Sequence, residues 1–367
     1  MKILVAPDSF KGTLSAAEIC GIAREALKRR DPLAEVVEIP IADGGEGTVA
    51  CFHRALPGSV LRSYPVRDLY FRPVTATVCF DGTTAILETA SVAGLDPLRP
   101  DVADASTVGV GELIRHVLDD GAKTVILGLG GSGTNDGGIG MATALGARFT
   151  DADGTPVSPT GKGLLSVSHA DFSGLDARIR TCRFLAACDV KNPLYGINGA
   201  AFVFAGQKGA DAREIRELDA GLRRLAEVVF RDLGAEMNRA DGSGAAGGLG
   251  AAVRCFLGGE LMPGIEWMLK TVRFEQRVRD ADAVLTGEGC VDRQTLEGKV
   301  PFGVAALAAK YGKPVICLCG KRGDGWEELL NHGVSRVVCI NPEGTDWETA
   351  QSRCRENLFD TVSSLAF

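Results

Sequence analysis

The sequence predicts an α/β protein in which a parallel-sheet domain is begun, interrupted by a mixed α/β insertion and then resumed. Three observations carry this. Short apolar runs without alternation occur near both ends of the 367-residue chain, each leading toward a helical stretch, as in a parallel sheet covered on both faces. The middle instead contains an alternating strand pair of the antiparallel kind. Finally, 47 glycines stand where average usage predicts about 26, so the backbone turns tightly or approaches something closely at many places.

Ile3-Leu4-Val5-Ala6, ended by Pro7, is the first strand, and Ser15-x-x-Glu18 is a capping box before apolar positions Ile19, Ile22, Ala23, Ala26 and Leu27. Lys28-Arg29-Arg30 suits the negative end of that helix and Pro32 stops it. Val36 to Ile41 is a second strand, expected parallel to the first and beside it. Arg72 to Thr89 alternates around Asp81-Gly82, a hairpin signal. A helix over 111–119 with Gly121 beyond its end, a strand over 124–129, a strand at Ala201-Phe202-Val203-Phe204 and a helical face from Leu218 to Val229 follow. Three more buried-strand runs, at Ala283, Val315 and Val337, complete the pattern. The expected division is 1–65 plus 260–367 for the parallel domain and 66–259 for the insertion.

Composition narrows the function. With 45% hydrophobic and 24% charged residues the chain is neither disordered nor fibrous. Forty basic against 47 acidic residues give a net charge of −7, and no basic run exceeds Lys28-Arg29-Arg30, so nucleic acid is not an expected partner. No run of about 18 apolar residues occurs, so no membrane partner is expected either. Eleven scattered cysteines suit free thiols, and Pro7 follows the first apolar residues too closely for a leader's apolar core; both point to the cytoplasm. The four histidines stand singly, outside the candidate loops, which disfavours a zinc site or a histidine-based triad.

Candidate chemistry concentrates where strands end, the place where open α/β sheets bind ligands. Ala6 to Gly12 carries Asp8, Ser9 and Lys11; an ordinary turn explains the first two but not the lysine. Ala42 to Thr48 sets Asp43 and Glu46 among three glycines, where a cation or hydroxyl can approach, or where Asp43 caps a helix. Gly128 to Gly140 holds seven glycines in thirteen residues, a candidate anion cradle that matches neither a Walker A loop nor a dinucleotide fingerprint. Close strand–helix packing would account for only two or three of them. Asp189, Lys191 and Asn192 follow another apolar run, with Lys208 further on; a carboxylate there can take a proton from a hydroxyl, although Asn192-Pro193 is also a turn signal. Glu288, Asp292, Arg293 and Lys299 follow the strand at Ala283. Gly242 to Gly250 reads equally as packing, hinge or ligand contact. Glycine-rich loops, lysines and carboxylates without a histidine nucleophile suit phosphoryl transfer, which needs positioning, positive charge on the transferred group and a carboxylate near the attacking hydroxyl.

Together these segments resemble the bacterial class I glycerate kinases. The resemblance rests on Ala-Pro-Asp-Ser-Phe-Lys-Gly (6–12), Ala-Asp-Gly-Gly-Glu-Gly-Thr-Val (42–49), Gly-Leu-Gly-Gly-Ser-Gly-Thr-Asn-Asp-Gly-Gly (128–138), Ala-Cys-Asp-Val-Lys-Asn-Pro-Leu (187–194), Gln-Lys-Gly-Ala (207–210), Gly-Ala-Ala-Gly-Gly-Leu-Gly-Ala (244–251) and Thr-Gly-Glu-Gly (286–289), in that order. It implies a flavodoxin-like domain with a second α/β domain inserted, an active-site cleft between the two, and ATP- and Mg²⁺-dependent phosphorylation of D-glycerate, usually to 2-phosphoglycerate. It marks Asp8, Ser9, Lys11, Asp43, Glu46, Asn135, Asp136, Asp189, Asn192, Lys208, Glu288, Asp292 and Lys299 as cleft residues. The roles assigned to them are expectations. Asp189 is the general base, Lys11 neutralises the transferred phosphoryl, and Asp8 and Asp292 stand with them as catalytic. Ser9, Asn192, Lys208, Arg293 and Lys299 bind substrate. Gly130, Gly131, Ser132, Gly133, Thr134, Asn135 and Asp136 hold the nucleotide; Asp43, Glu46 and Glu288 hold the metal. One position departs: the family commonly has arginine after Gly-Glu-Gly, where this chain has Cys290, and Arg293 is the expected substitute. A kinase for a related hydroxy acid, a nicotinamide oxidoreductase and a non-catalytic binding protein are the rival readings.

Overall fold

The computed structural model describes every residue except Asp43, Pro97, Arg99 and Phe367. The chain divides into two units, one of Met1–Asp43, Ala50–Gly58 and Pro263–Phe367, the other of Gly44–Val49 and Ser59–Met262. Strands are numbered along the chain. The first group is β1 (Lys2–Val5), β2 (Glu35–Glu38), β3 (Val60–Arg67), β4 (Pro73–Asp81), β5 (Thr84–Glu88) and β6 (Thr124–Gly128). Then come β7 (Arg148–Thr150), β8 (His169–Asp171), β9 (Arg183–Ala187), β10 (Glu260–Met262), β11 (Ala283–Val291), β12 (Val315–Arg322) and β13 (Arg336–Cys339).

The first unit is built on a five-stranded parallel sheet of order β13-β12-β11-β1-β2. Read from its other edge, the order is that of a flavodoxin-like sheet, with β1 and β11 at the point where the winding reverses. Ile3 pairs with both Val36 and Ala283, so β1 is flanked on both sides, and residues 283–288 of β11 are all buried. That burial explains why these strands read as unbroken apolar runs. The helix Ala16–Arg30 begins at the Ser15/Glu18 capping box and buries Ile19, Ile22 and Leu27 against Ile3, Val5 and Leu285.

In the second unit a six-stranded sheet runs β10-β9-β6-β5-β4-β3, antiparallel from β3 to β5 and parallel from β5 to β10. The hairpin at Asp81-Gly82 forms with Asp81 opposite Thr84. Its core gathers Val78, Leu87, Leu113, Val125, Phe184, Leu222 and Val253 among others.

One expected strand is absent. Ala201–Ala205 is a π-type helical turn. Ala201 and Ala205 are buried while Phe202 and Val203 are exposed, a spacing of four rather than two, and a five-residue apolar run cannot distinguish these from sequence alone. The boundaries also differ: Gly44–Val49, residues 59–65 and Glu260–Met262, all expected with the parallel domain, group with the second unit. Nearby, Val49 N donates to the buried Glu88 carboxylate at 2.5 Å, and Gly130 N donates to Gly44 O at 3.1 Å.

Candidate active site

In the first unit the loop leaving β1 stays in register with β11. Ala6 N donates to Leu285 O at 2.7 Å and Asp8 N to Gly287 O at 2.8 Å, while Thr286 Oγ1 donates to Ala6 O at 2.8 Å. This ladder carries Asp8 to the same sheet end as Glu288, and both carboxyls are buried. Thr295 Oγ1 donates to Glu288 at 2.5 Å, and Lys299 Nζ lies 3.7 Å from Glu288 and 4.0 Å from Asp292. Burial pushes the Glu288 carboxyl above its usual range, with Thr295 and Lys299 pulling it back. Asp8, Ser9, Lys11, Glu288 and Lys299 all line one groove of about 1270 Å³, within the first unit.

Two further expected residues of this unit have local partners. Asp292 caps the turn Arg293–Glu297, accepting from Gln294 N at 2.9 Å. Arg293 does not line the groove; its guanidinium is exposed and lies 3.7 Å from Glu328. The cations flanking Cys290 are Lys321, opposite it on β12, and Lys299.

The second unit gathers the glycine-rich loop and Lys208. This lysine is buried, and its Nζ donates to Thr134 O at 2.8 Å and Ser132 Oγ at 3.1 Å. Loss of water lowers its pKa to about 8, with Asp136 opposing. Asp136 itself is fully enclosed and accepts from Thr107 N, Thr107 Oγ1, Gly138 N and Gly140 N at 2.7–3.2 Å. Burial raises that carboxyl while the four donors lower it. It therefore acts as the framework of the loop. Two of the cradle's amides are likewise engaged, Gly130 N by Gly44 O and Gly133 N by Ala93 O. Among the described residues, Thr134 Oγ1 and Asn135 Nδ2 are buried without a hydrogen-bond partner, a costly arrangement that a polar ligand would relieve.

The 242–250 glycines pack behind this loop. A Cβ on Gly247 would lie 2.0 Å from Thr134 O, and Gly137 N donates to Gly247 O at 2.9 Å. Asp189 is exposed just beyond β9; the Asn192 amide donates to Asn198 O at 2.9 Å, which closes its loop. Glu46 is exposed, and Asp43 lies outside the described residues. No cluster of three or more His, Cys, Asp or Glu side chains able to hold a metal forms among the described residues.

Sequence reasoning missed Glu88, whose buried carboxyl anchors the 44–49 loop. It also missed Lys321, Arg322 and Asn341, which line the groove at the carboxyl ends of β12 and β13. The strand-end rule that selected Asp8 and Glu288 applies equally to those two strands and would have found them.

Comparison with known proteins places the chain. The sequence profile of the glycerate kinase family matches residues 3–367. Glycerate kinase of Bacillus cereus is 41% identical over 371 residues, covering 100% of this chain and 97% of that protein. Glycerate 2-kinase of Escherichia coli K12 is 42% identical over 345 residues, 93% of this chain and 90% of that protein. A crystal structure from Salmonella typhimurium LT2, assigned as glycerate kinase 2, superposes with a TM-score of 0.86 at 41% identity, covering 99% of this chain and 96% of that one. A match of this extent, joined to the parallel sheet and the two residue clusters, means that the chain belongs to the glycerate kinase family.

Proposed function

We infer that this protein is an ATP-dependent kinase that phosphorylates D-glycerate, with 2-phosphoglycerate as product. The observation that carries the reading is end-to-end similarity, at 41% identity, to a protein named glycerate kinase. In the proposed division of labour, Asp189 accepts the proton of the glycerate hydroxyl as that oxygen attacks the terminal phosphoryl. Lys11 offsets charge developing on the transferred group, and Lys299 holds substrate beside Glu288 and Asp8. Ser9 and Asn192 hydrogen-bond substrate, and Asp292 fixes the turn that presents Lys299. In the second unit the Ser132 hydroxyl, the Asn135 amide and Lys208 meet nucleotide phosphates, because part of the glycine backbone is already engaged.

The donor set suits Mg²⁺, which takes one or two carboxylates and completes its shell with phosphate oxygens and water. Glu288 supplies a buried carboxyl whose charged form a cation would favour, with Glu46 and Asp43 as further oxygen donors. When bound, the ion neutralises charge between phosphates.

The test is an ADP-release assay with D-glycerate, L-glycerate, tartronate and hydroxypyruvate, with ³¹P NMR of the product. ADP formation dependent on D-glycerate, with phosphate on the 2-hydroxyl, is expected. Cys290 favours one second reading, a kinase whose preference has moved to a related hydroxy acid; faster turnover of tartronate or hydroxypyruvate would establish it. Nucleotide binding without turnover of any of them overturns both.

A further inference from the structure

Three cysteines line the first unit's groove, Cys290, Cys339 and Cys354, and one of them has a cysteine neighbour on the adjoining strand. Cys319 on β12 and Cys339 on β13 are direct partners in the parallel register. Neighbouring strands lie about 4.8 Å apart, inside the range of about 4.4–6.8 Å that a disulfide spans between Cα atoms. Cys319 is fully buried, whereas Cys339 is part-exposed and lines the groove. The two side chains interact electrostatically. The Cys339 thiol donates to Gly320 O at 3.2 Å, faces the Asn341 N–H, and sits in the field of Arg322. That guanidinium is fixed by a 2.9 Å bond to Val337 O and lies 4.5 Å above the Trp326 ring.

We propose that Cys339 and Cys319 are a reversible oxidation site for hydroperoxides, with Cys339 as the reacting sulfur and Cys319 as the resolving one. The Cys339 sulfur attacks the hydroperoxide oxygen; the O–O bond breaks, an alcohol or water leaves with the thiol proton, and Cys339 becomes a sulfenic acid. The Cys319 sulfur then displaces the sulfenic hydroxyl, its own proton leaving with it as water, and an S–S bond forms. Two thiols and one hydroperoxide thus give one disulfide, one alcohol or water, and one water.

The other groove cysteines serve as internal controls. The Cys290 thiol donates to the Asp292 carboxylate at 3.9 Å, and burial raises Cys354, which donates to Thr13 Oγ1 at 3.5 Å. The Cys319 S–H, ahead of every other influence, lowers Cys339.

Full-length reduced protein is treated with one equivalent of hydrogen peroxide, alkylated and peptide-mapped. The expected product is a Cys319–Cys339 disulfide that dithiothreitol removes, with Cys339 consumed at least tenfold faster than Cys290 or Cys354. In Cys319→Ser, Cys339 is expected to stop at the sulfenic acid and form a dimedone adduct. Preferential oxidation of Cys290 or Cys354, or a wild-type sulfenic acid at Cys339 that accumulates without the disulfide, overturns the proposal. The wild-type map decides the matter even if the serine variant folds poorly.

Discussion

Lys208 shows how one residue sets a pH dependence. Its pKa falls from 10.5 to about 8 on folding because the ammonium is enclosed. Below pH 8 both folded and unfolded chains carry the proton, and the full cost of burying charge is present. Between about 8 and 10.5 the unfolded chain binds a proton that the folded one lacks, so stability rises with pH across that window. The shift corresponds to on the order of 3 kcal/mol. Urea midpoints should therefore climb between pH 8 and 10 in the wild type, and Lys208→Met should remove most of that slope. A second comparison concerns the cations near Cys290. Lys299→Ala should lower kcat/KM by about 10²-fold or more, the scale for losing one charged transition-state contact. Arg293→Ala, with its side chain turned to Glu328, should stay within about threefold. Steady-state kinetics with glycerate distinguish the two.

At the scale of the element, the start of the helix Ala245–Leu257 is the informative piece. Ala246, Gly247 and Gly248 all have positive φ there, so the chain winds left-handed before the helix proper. Gly247→Ala should cost more than about 3 kcal/mol, because strain at φ +66° adds to a clash with the Thr134 carbonyl. Gly258→Ala, at φ +64° in open space, should cost about 1 kcal/mol. Urea denaturation of the two variants tests the difference. Elements of this kind mark the boundary of what the sequence reveals. The capping box at Ser15 and the runs of β1, β11, β12 and β13 were legible because local chemistry and burial agree. The Ala201–Ala205 turn was not, since its exposure pattern is imposed by tertiary packing. Nor were the separate tasks of Asp136 and Lys208: both sit in motif segments, and only burial and partners reveal which holds the loop and which remains a cation within it.

At the scale of the whole molecule, the chain passes between its two units at 43/44, 49/50, 58/59 and 262/263. The second unit is consequently not one continuous segment. A fragment of Ser59–Met262 lacks the Val49 N–H that Glu88 accepts and the Gly44 carbonyl that Gly130 N uses. It should retain sheet signal in far-ultraviolet circular dichroism yet unfold at lower urea than the same unit in the intact chain. A fragment of undiminished stability would show that the six-residue loop is dispensable.

The meeting of the two glycine loops has a consequence for how relatives of this chain can vary. A Cβ on Gly128 would lie 2.2 Å from Gly44 O, and one on Gly130 would lie 2.7 Å from Gly45 Cα. The contact is main chain against main chain, so neither side has a side chain that could shrink to accommodate growth on the other. Compensating pairs of substitutions are therefore unavailable. Methods that infer contacts from correlated changes will find no signal between these loops, and the contact will surface in an alignment only as columns that do not change.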